Sequence, residues 1–211
     1  MSDLQRVGAV VGGVGSAPPF TASIMGASRT SDAHGRYMNA ALEGRLFTAS
    51  NVAAQAVSVA LTTTYTGLCI SNPAGSGKIL ALLGCQYALS VAPAAIASLH
   101  LIAGYSAAGI VTHTTPLAAP GIQSAIINGG GFSANSAAKV DSAATIVNPY
   151  YLMPIGSGFT AAALYATTPS MIDLGGWPII PPGGWVAFGA LTAVTGFGGF
   201  LWEELPLIPQ G

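Results

Sequence analysis

The sequence predicts a mainly β protein, an antiparallel β-sandwich of jelly-roll type with an extended N-terminal arm and one short helix. Three observations carry that reading. From Phe47 onward the chain is dense in Val, Thr, Tyr and Ala, in short apolar runs. Those runs are separated by Pro- or Gly-bearing turns such as Asn148-Pro149, Thr168-Pro169 and Pro181-Pro182-Gly183-Gly184. Only "DAHGRYMNAALEGRLF" carries a helical signal, with Asp32 placed to cap its start and Gly44 near its end.

The first 46 residues stand apart. Rich in Gly, Ala and Ser and without clear periodicity, they read as an arm and short helix, with the sandwich occupying 47–211. Strands are expected in "VSVALTTTYTGLCIS", "IASLHLIAG", "GIVTHTT", "KVDSAATIV", "FTAAALYAT", "GWVAFGAL" and "GFGGFLWEEL". The run from Ile79 to Leu89 alternates, which places Ile79, Ala81, Leu83, Cys85, Tyr87 and Leu89 on one apolar face. About eight strands spaced by turns fit a sandwich or jelly roll.

Composition limits function. The 211 residues include only six Lys or Arg and seven Asp or Glu, so 6% are charged while 51% are hydrophobic. A soluble monomer coats itself with far more charge, roughly a quarter of its residues. Most of the surface is therefore uncharged, or covered by other subunits. A net charge of −1 gives no basic footprint for nucleic acid and no attraction to an anionic membrane. From Ile79 to Ala138 there is no charged residue at all. The stretch Trp185 to Trp202 has the length and aromatic ends of a membrane span, but four Gly, two Thr and the absence of flanking Lys or Arg argue against one. Cys69 and Cys85 do not make a disulfide framework and are expected as free thiols in a protein made in a reducing cytoplasm.

Several motifs invite chemistry and fail it. "SNPAGSGKIL" ends like a phosphate-binding loop, yet Asn72 stands where the first Gly belongs and Ile79 where the metal-binding hydroxyl belongs. A strand pattern follows it in place of a helix, so it reads as a hairpin loop, with Lys78 facing water or a partner's carboxylate. Glu203 and Glu204 are neighbours on a strand and point to opposite faces, so they cannot flank one substrate bond. One is expected to pair with an Arg and the other to face solvent or a subunit. His34, His100 and His113 lack metal-ligand spacing, and neither "GSG" has the frame of a nucleophile elbow. No catalytic residue, metal or cofactor is expected. Trp177, Trp185 and Trp202 with Tyr150 and Tyr151 allow a sugar-stacking platform as the alternative to core and interface packing.

Three segments, "HGRYMNAALEGRLFTASN", "YTGLCISNPAGSGKILALL" and "IIPPGGWVAFGALTAVTGFGGFLWEELPL", together resemble virion structural proteins of tailed bacteriophages, over roughly a third of the chain. The resemblance implies a non-enzymatic sandwich subunit that decorates or cements a capsid. Its implied partners are copies of itself, in a cyclic oligomer such as a trimer, and the major capsid protein or another virion protein. No nucleic acid or membrane is expected among them, and the location implied is the virion. Interface contacts are expected from Arg29, Arg36 and Arg45 on the arm, and from Lys78, Trp202 and Glu203. A glycan-binding fibre or adhesin domain is the runner-up, and a membrane-associated subunit stands behind it.

Overall fold

The two longest apolar strands near the C-terminus occupy the centres of two stacked sheets, and the rest of the chain is arranged around them. The computed structural model describes residues 21–22, 28–29, 36–106, 112–118, 121–126, 136–158 and 171–207. The chain forms two compact units, Met1–Met38 and Asn39–Gly211. In the first, strands β1 (Thr21–Ala22) and β2 (Ser28–Arg29) pair antiparallel, and the Arg36 guanidinium lies 5.2 Å over the Tyr37 ring. Residues 1–20, 23–27 and 30–35 of the expected arm, among them Asp32, the expected helix cap, lie outside the described residues.

Helix α1 spans Met38–Leu42, shorter than the sequence predicts. Its end is built as expected: Gly44 takes φ +68°, and the Gly44 and Arg45 amides donate to the carbonyls of Ala41 and Ala40 at 2.9 Å.

The strands of the second unit are β3 (Leu46–Ser50), β4 (Gln55–Val57), β5 (Thr64–Ser71), β6 (Lys78–Leu89), β7 (Ala97–Tyr105), β8 (Thr112–Pro116), β9 (Gln123–Ser124), β10 (Lys139–Thr145), β11 (Tyr150–Gly158), β12 (Ile172–Asp173), β13 (Ile179–Ile180), β14 (Gly184–Ala190) and β15 (Val194–Pro206). One sheet has the order β11-β7-β14-β5-β10-β8. The other runs β12-β6-β15-β3-β9, with β13 also on β6 and β4 also on β15. The chain passes back and forth between the sheets. Its last two long strands then slot into the middle, β14 between β5 and β7 and β15 between β6 and β3. That interleaving is jelly-roll connectivity, with β8, β9 and β10 inserted between β7 and β11 and added to the far edges.

The inner faces alternate as a sandwich requires. Leu99 and Leu101 of β7, Val186 and Phe188 of β14, and Phe200 and Trp202 of β15 share one buried cluster. The Phe188 and Phe200 rings stack with centroids 4.6 Å apart, so the central strands of the two sheets meet there. Gly198 makes this possible: a Cβ there would sit 2.6 Å from the Phe188 ring. A second cluster of Tyr65, Cys69, Ile102, Ala144, Ile146, Trp185 and Ala187 lies on the other face of the first sheet. The chain beyond β10 closes over it, and Trp185 Nε1 donates to the Val147 carbonyl at 3.0 Å.

Four expectations change. The Ser71–Lys78 connection is not a hairpin loop, because β5 and β6 belong to different sheets and the turn carries the chain from one to the other. The alternating face of β6 is split: its register against β15 shifts between Gly84 and Leu82. Leu80 and Leu82 therefore point into the same core as Cys85, Tyr87 and Leu89. Strand β11 was not expected, since Pro154 interrupts its sequence; it runs along a sheet edge and is bulged twice against β7, where a missing amide is tolerated. The membrane-span alternative resolves into β14 and β15, one in each sheet. No helix among the described residues is long and apolar enough to cross a membrane. The strand expected in "FTAAALYAT" lies outside the described residues.

The stack at the centre sets a testable asymmetry within β15. Phe200→Ala should lower unfolding free energy by about 3–5 kcal/mol in a urea titration. Phe197→Ala, on a side chain 41% exposed, should cost about 1 kcal/mol or less.

Candidate functional site

Scarce ionic groups make the few that exist informative, and the structure gathers five of them, Glu43, Arg45, Lys78, Glu203 and Glu204, along the end of β15. Glu203 and Glu204 point to opposite faces there, as strand geometry demands. Glu203 pairs with Arg45, whose Nε also contacts Glu43 Oε2 at 2.7 Å. The expected pairing of one Glu with an Arg is thus present, and both partners lie within the chain.

Glu204 does not face solvent or a subunit. Its side chain is fully buried, and Lys78 Nζ lies 2.8 Å from its Oε2. Ser136 Oγ donates at 2.6 Å and the Ala137 amide at 2.9 Å to Oε1; Trp202 Nε1 approaches the same oxygen at 3.4 Å. Burial alone would push this carboxyl up. The hydrogen bonds from Lys78, Ser136 and Ala137, with the Lys78 charge, outweigh it and hold the group below its ordinary 4.5. Lys78 therefore pairs with the chain's own carboxylate, while its side chain stays partly exposed. The sheet-crossing turn before it is held by Asn72, whose Nδ2 donates to the carbonyls of Lys78 at 2.8 Å and Ile180 at 3.0 Å. Gly75 and Gly77 take φ +77° and +67°. The turn's polar groups thus serve neighbouring strands, and β6, not a helix, follows them.

Trp202 is fully buried and stacks on Phe47 with centroids 6.1 Å apart. It packs the inter-sheet core and presents no surface to a neighbour. Arg36 is exposed beside Tyr37, and Arg29 stands opposite Thr21 in the β1–β2 pair. Of the six expected interface residues, the structure brings Arg45 and Glu203 together and places Lys78 beside Glu204. Glu204 is the organising residue that sequence reasoning set aside; its only signal was alternation with Glu203.

A second pair was not anticipated. His113 Nδ1 lies 2.6 Å from Asp141 Oδ2, tying edge strand β8 to β10. Asp141 is buried, and its Oδ1 has no hydrogen-bond partner. Burial raises its carboxyl, more than His113 and Lys139 lower it. His100 is far from this pair in sheet order, with β14, β5 and β10 between β7 and β8. Its ring packs on Tyr151 at 5.2 Å, and the two line a cavity of about 390 Å³ with Leu152, Met153, Pro154 and Leu191. No group of three or more His, Cys, Asp or Glu that could hold a metal occurs among the described residues. Cys69 and Cys85 are free, buried thiols. Burial pushes Cys85 up to about 11 and raises Cys69 as well, with Asp141 adding to the latter, so neither is a ready thiolate.

The aromatic platform does not assemble. Trp185 and Trp202 are buried, while Trp177, Tyr150 and Tyr151 are exposed on β11 and ahead of β13. These ionic groups tie strands to one another. No protein-family model, curated protein or solved structure matches the chain.

Two outcomes follow from the Glu204 node. Lys78→Met leaves a buried carboxylate without its cation and should cost about 1–3 kcal/mol, discounted because Lys78 is partly exposed. Because the folded Glu204 value is depressed, its contribution is complete above the ordinary 4.5 and is lost as pH falls through the lower folded value. Glu204→Gln should accordingly be less stable than the parent at pH 7 and show a flatter loss below about pH 4.5 in thermal melts.

Proposed function

We propose that this chain is a non-enzymatic structural subunit of a tailed-bacteriophage virion, a jelly-roll sandwich that decorates or cements the capsid as a homo-oligomer. The observation that carries the reading is a surface poor in charge and studded with large apolar side chains. Val91, Ile96, Met171, Trp177, Ile179 and Leu191 are each more than half exposed. The ionic groups of Arg45, Lys78, Glu203 and Glu204 are meanwhile spent inside the chain. Such a surface is costly in water and gains free energy when neighbours cover it, so assembly is the stable state. Obligate interfaces of about 2,000–5,000 Å² are more apolar than transient ones, which suits this composition.

The sandwich supports the same role. Antiparallel strands interleaved between two sheets make a rigid block, and the segment resemblance to phage virion proteins supplies the biological setting. Its partners on this reading are copies of itself, in a cyclic oligomer such as a trimer, and the shell protein beneath.

Purified particles of the phage that encodes the chain test the reading directly. Quantitative mass spectrometry should find the chain in the particles at a fixed, high copy number relative to the major capsid protein. Its absence from particles, with the chain abundant in the infected-cell lysate, would overturn the proposal. Removing residues 1–35 should abolish attachment to shells; normal attachment of the truncated chain would show that the arm is not a contact element.

A further inference from the structure

Strand β8 is held to its sheet mainly by polar contacts. It forms one edge of the six-stranded sheet, and all five of its residues, Thr112–Pro116, are exposed. Apolar burial therefore does little to keep it in place. Its pairing with β10 shifts register on both sides of Ala143, which interrupts the regular ladder. Two side-chain contacts supplement that ladder. Ser142 Oγ donates to the Thr115 carbonyl at 3.2 Å, and His113 Nδ1 lies 2.6 Å from Asp141 Oδ2. Just beyond the strand, Leu117 packs against the inter-sheet core, and its amide donates to the Val140 carbonyl at 2.9 Å. That end is anchored, whereas the Thr112 end is not.

Only the His113 contact involves charge. Asp141 is 1% exposed, and its Oδ1 has no hydrogen-bond partner. An ionised carboxylate at this place has given up its water and has one close compensating group, the imidazole. The other titratable groups around it offer little. Cys69 of β5 stands directly across from Asp141, and burial keeps its thiol neutral. Tyr65, buried beside Cys69, is kept neutral in the same way. Lys139, two residues earlier on β10, contributes its charge from an exposed position.

We propose that the His113–Asp141 pair makes β8 a pH-released edge, clamped to β10 while the imidazole is protonated and swinging out about Leu117 when that proton leaves. With the imidazolium in contact, the buried negative charge is compensated. With a neutral imidazole, Asp141 keeps its charge and one hydrogen bond, and its second oxygen stays dry. Moving β8 aside admits water to both oxygens and sacrifices a short, bulged ladder and no large apolar side chain. The sign is the same for both partners. Burial raises the Asp141 carboxyl above its ordinary 3.8, so its support for the closed strand is whole below that value and is lost as pH rises through the higher folded one. Loss of the imidazolium weakens the closed strand in the same direction. Imidazoles change charge between about pH 5 and 8, so the clamp holds in mild acid and is released toward alkaline pH. Release bares the backbone edge of β10, a row of amides and carbonyls open to water or to another strand. The inference concerns the sheet itself and stands apart from the virion reading.

Hydrogen-exchange protection factors on the full chain, corrected for the intrinsic pH dependence of exchange, test this at about pH 5.5 and about pH 8. Protection in 112–115 should fall about tenfold or more between the two, while that of β5 and β14 stays level. Asp141→Asn removes the buried charge and should make β8 protection independent of pH. His113→Gln keeps a hydrogen-bond donor without the cation and should hold β8 at the parent's alkaline level at both pH values. Protection of β8 in the parent that is flat or absent at both pH values would overturn the proposal. So would a drop that survives in Asp141→Asn, or acid-level protection in His113→Gln. Should Asp141→Asn fail to fold, His113→Gln decides alone, since its side chain is 32% exposed and the substitution leaves the core untouched.

Discussion

The stacked rings of Phe188 and Phe200 lie where the central strands of two sheets cross, and both strands come from the last 28 residues of the chain. Neither sheet has a continuous middle until β14 has inserted between β5 and β7 and β15 between β6 and β3. The core is thus built on contacts distant in sequence, and loop-closure entropy must be overcome before those contacts are gained. The glycines of β15 follow from the same constraint, since Gly198 leaves the space that the Phe188 ring occupies.

Charge is organised by that strand too. Glu204 sits two residues beyond Trp202, and its carboxylate gathers the cation that follows the sheet-crossing turn and the segment 136–138 that leads into β10. A buried carboxylate satisfied by one cation and several hydrogen bonds specifies which loops must meet, whatever its net contribution to stability. Spending ionic groups this way leaves little charge for the outside. Among the described residues, the exposed surface is consequently rich in apolar side chains, with Arg36, Glu43, Lys139 and Asp173 as its exposed charges.

Much of the fold was legible in the sequence for local reasons. Val- and Thr-rich runs between Pro and Gly turns marked β5, β7, β10, β14 and β15, and Gly44 marked the end of the helix. Sheet membership was not legible, because a turn such as "NPAGSGK" serves a hairpin and a sheet crossing equally well. Strand β11 was hidden by Pro154, which an edge position excuses. The β6 face was misread because the bulge beside Gly84 changes the parity of every residue after it, and bulges leave no mark in hydropathy. Among the polar groups, Glu203 with Arg45 followed from alternation and charge scarcity. Glu204 with Lys78 and His113 with Asp141 could not be read, since each joins residues brought together only by the sheets.

Native-state hydrogen exchange, followed residue by residue, tests most directly whether the last two strands hold both sheets. The amides of β14 and β15 should exchange only through global unfolding, with one common free energy, while those of β8 and β11 open at lower cost. Exchange of β14 or β15 at the rate of the edge strands, with β5, β6 and β7 still protected, would contradict the account, because the sheets would then stand without their centres.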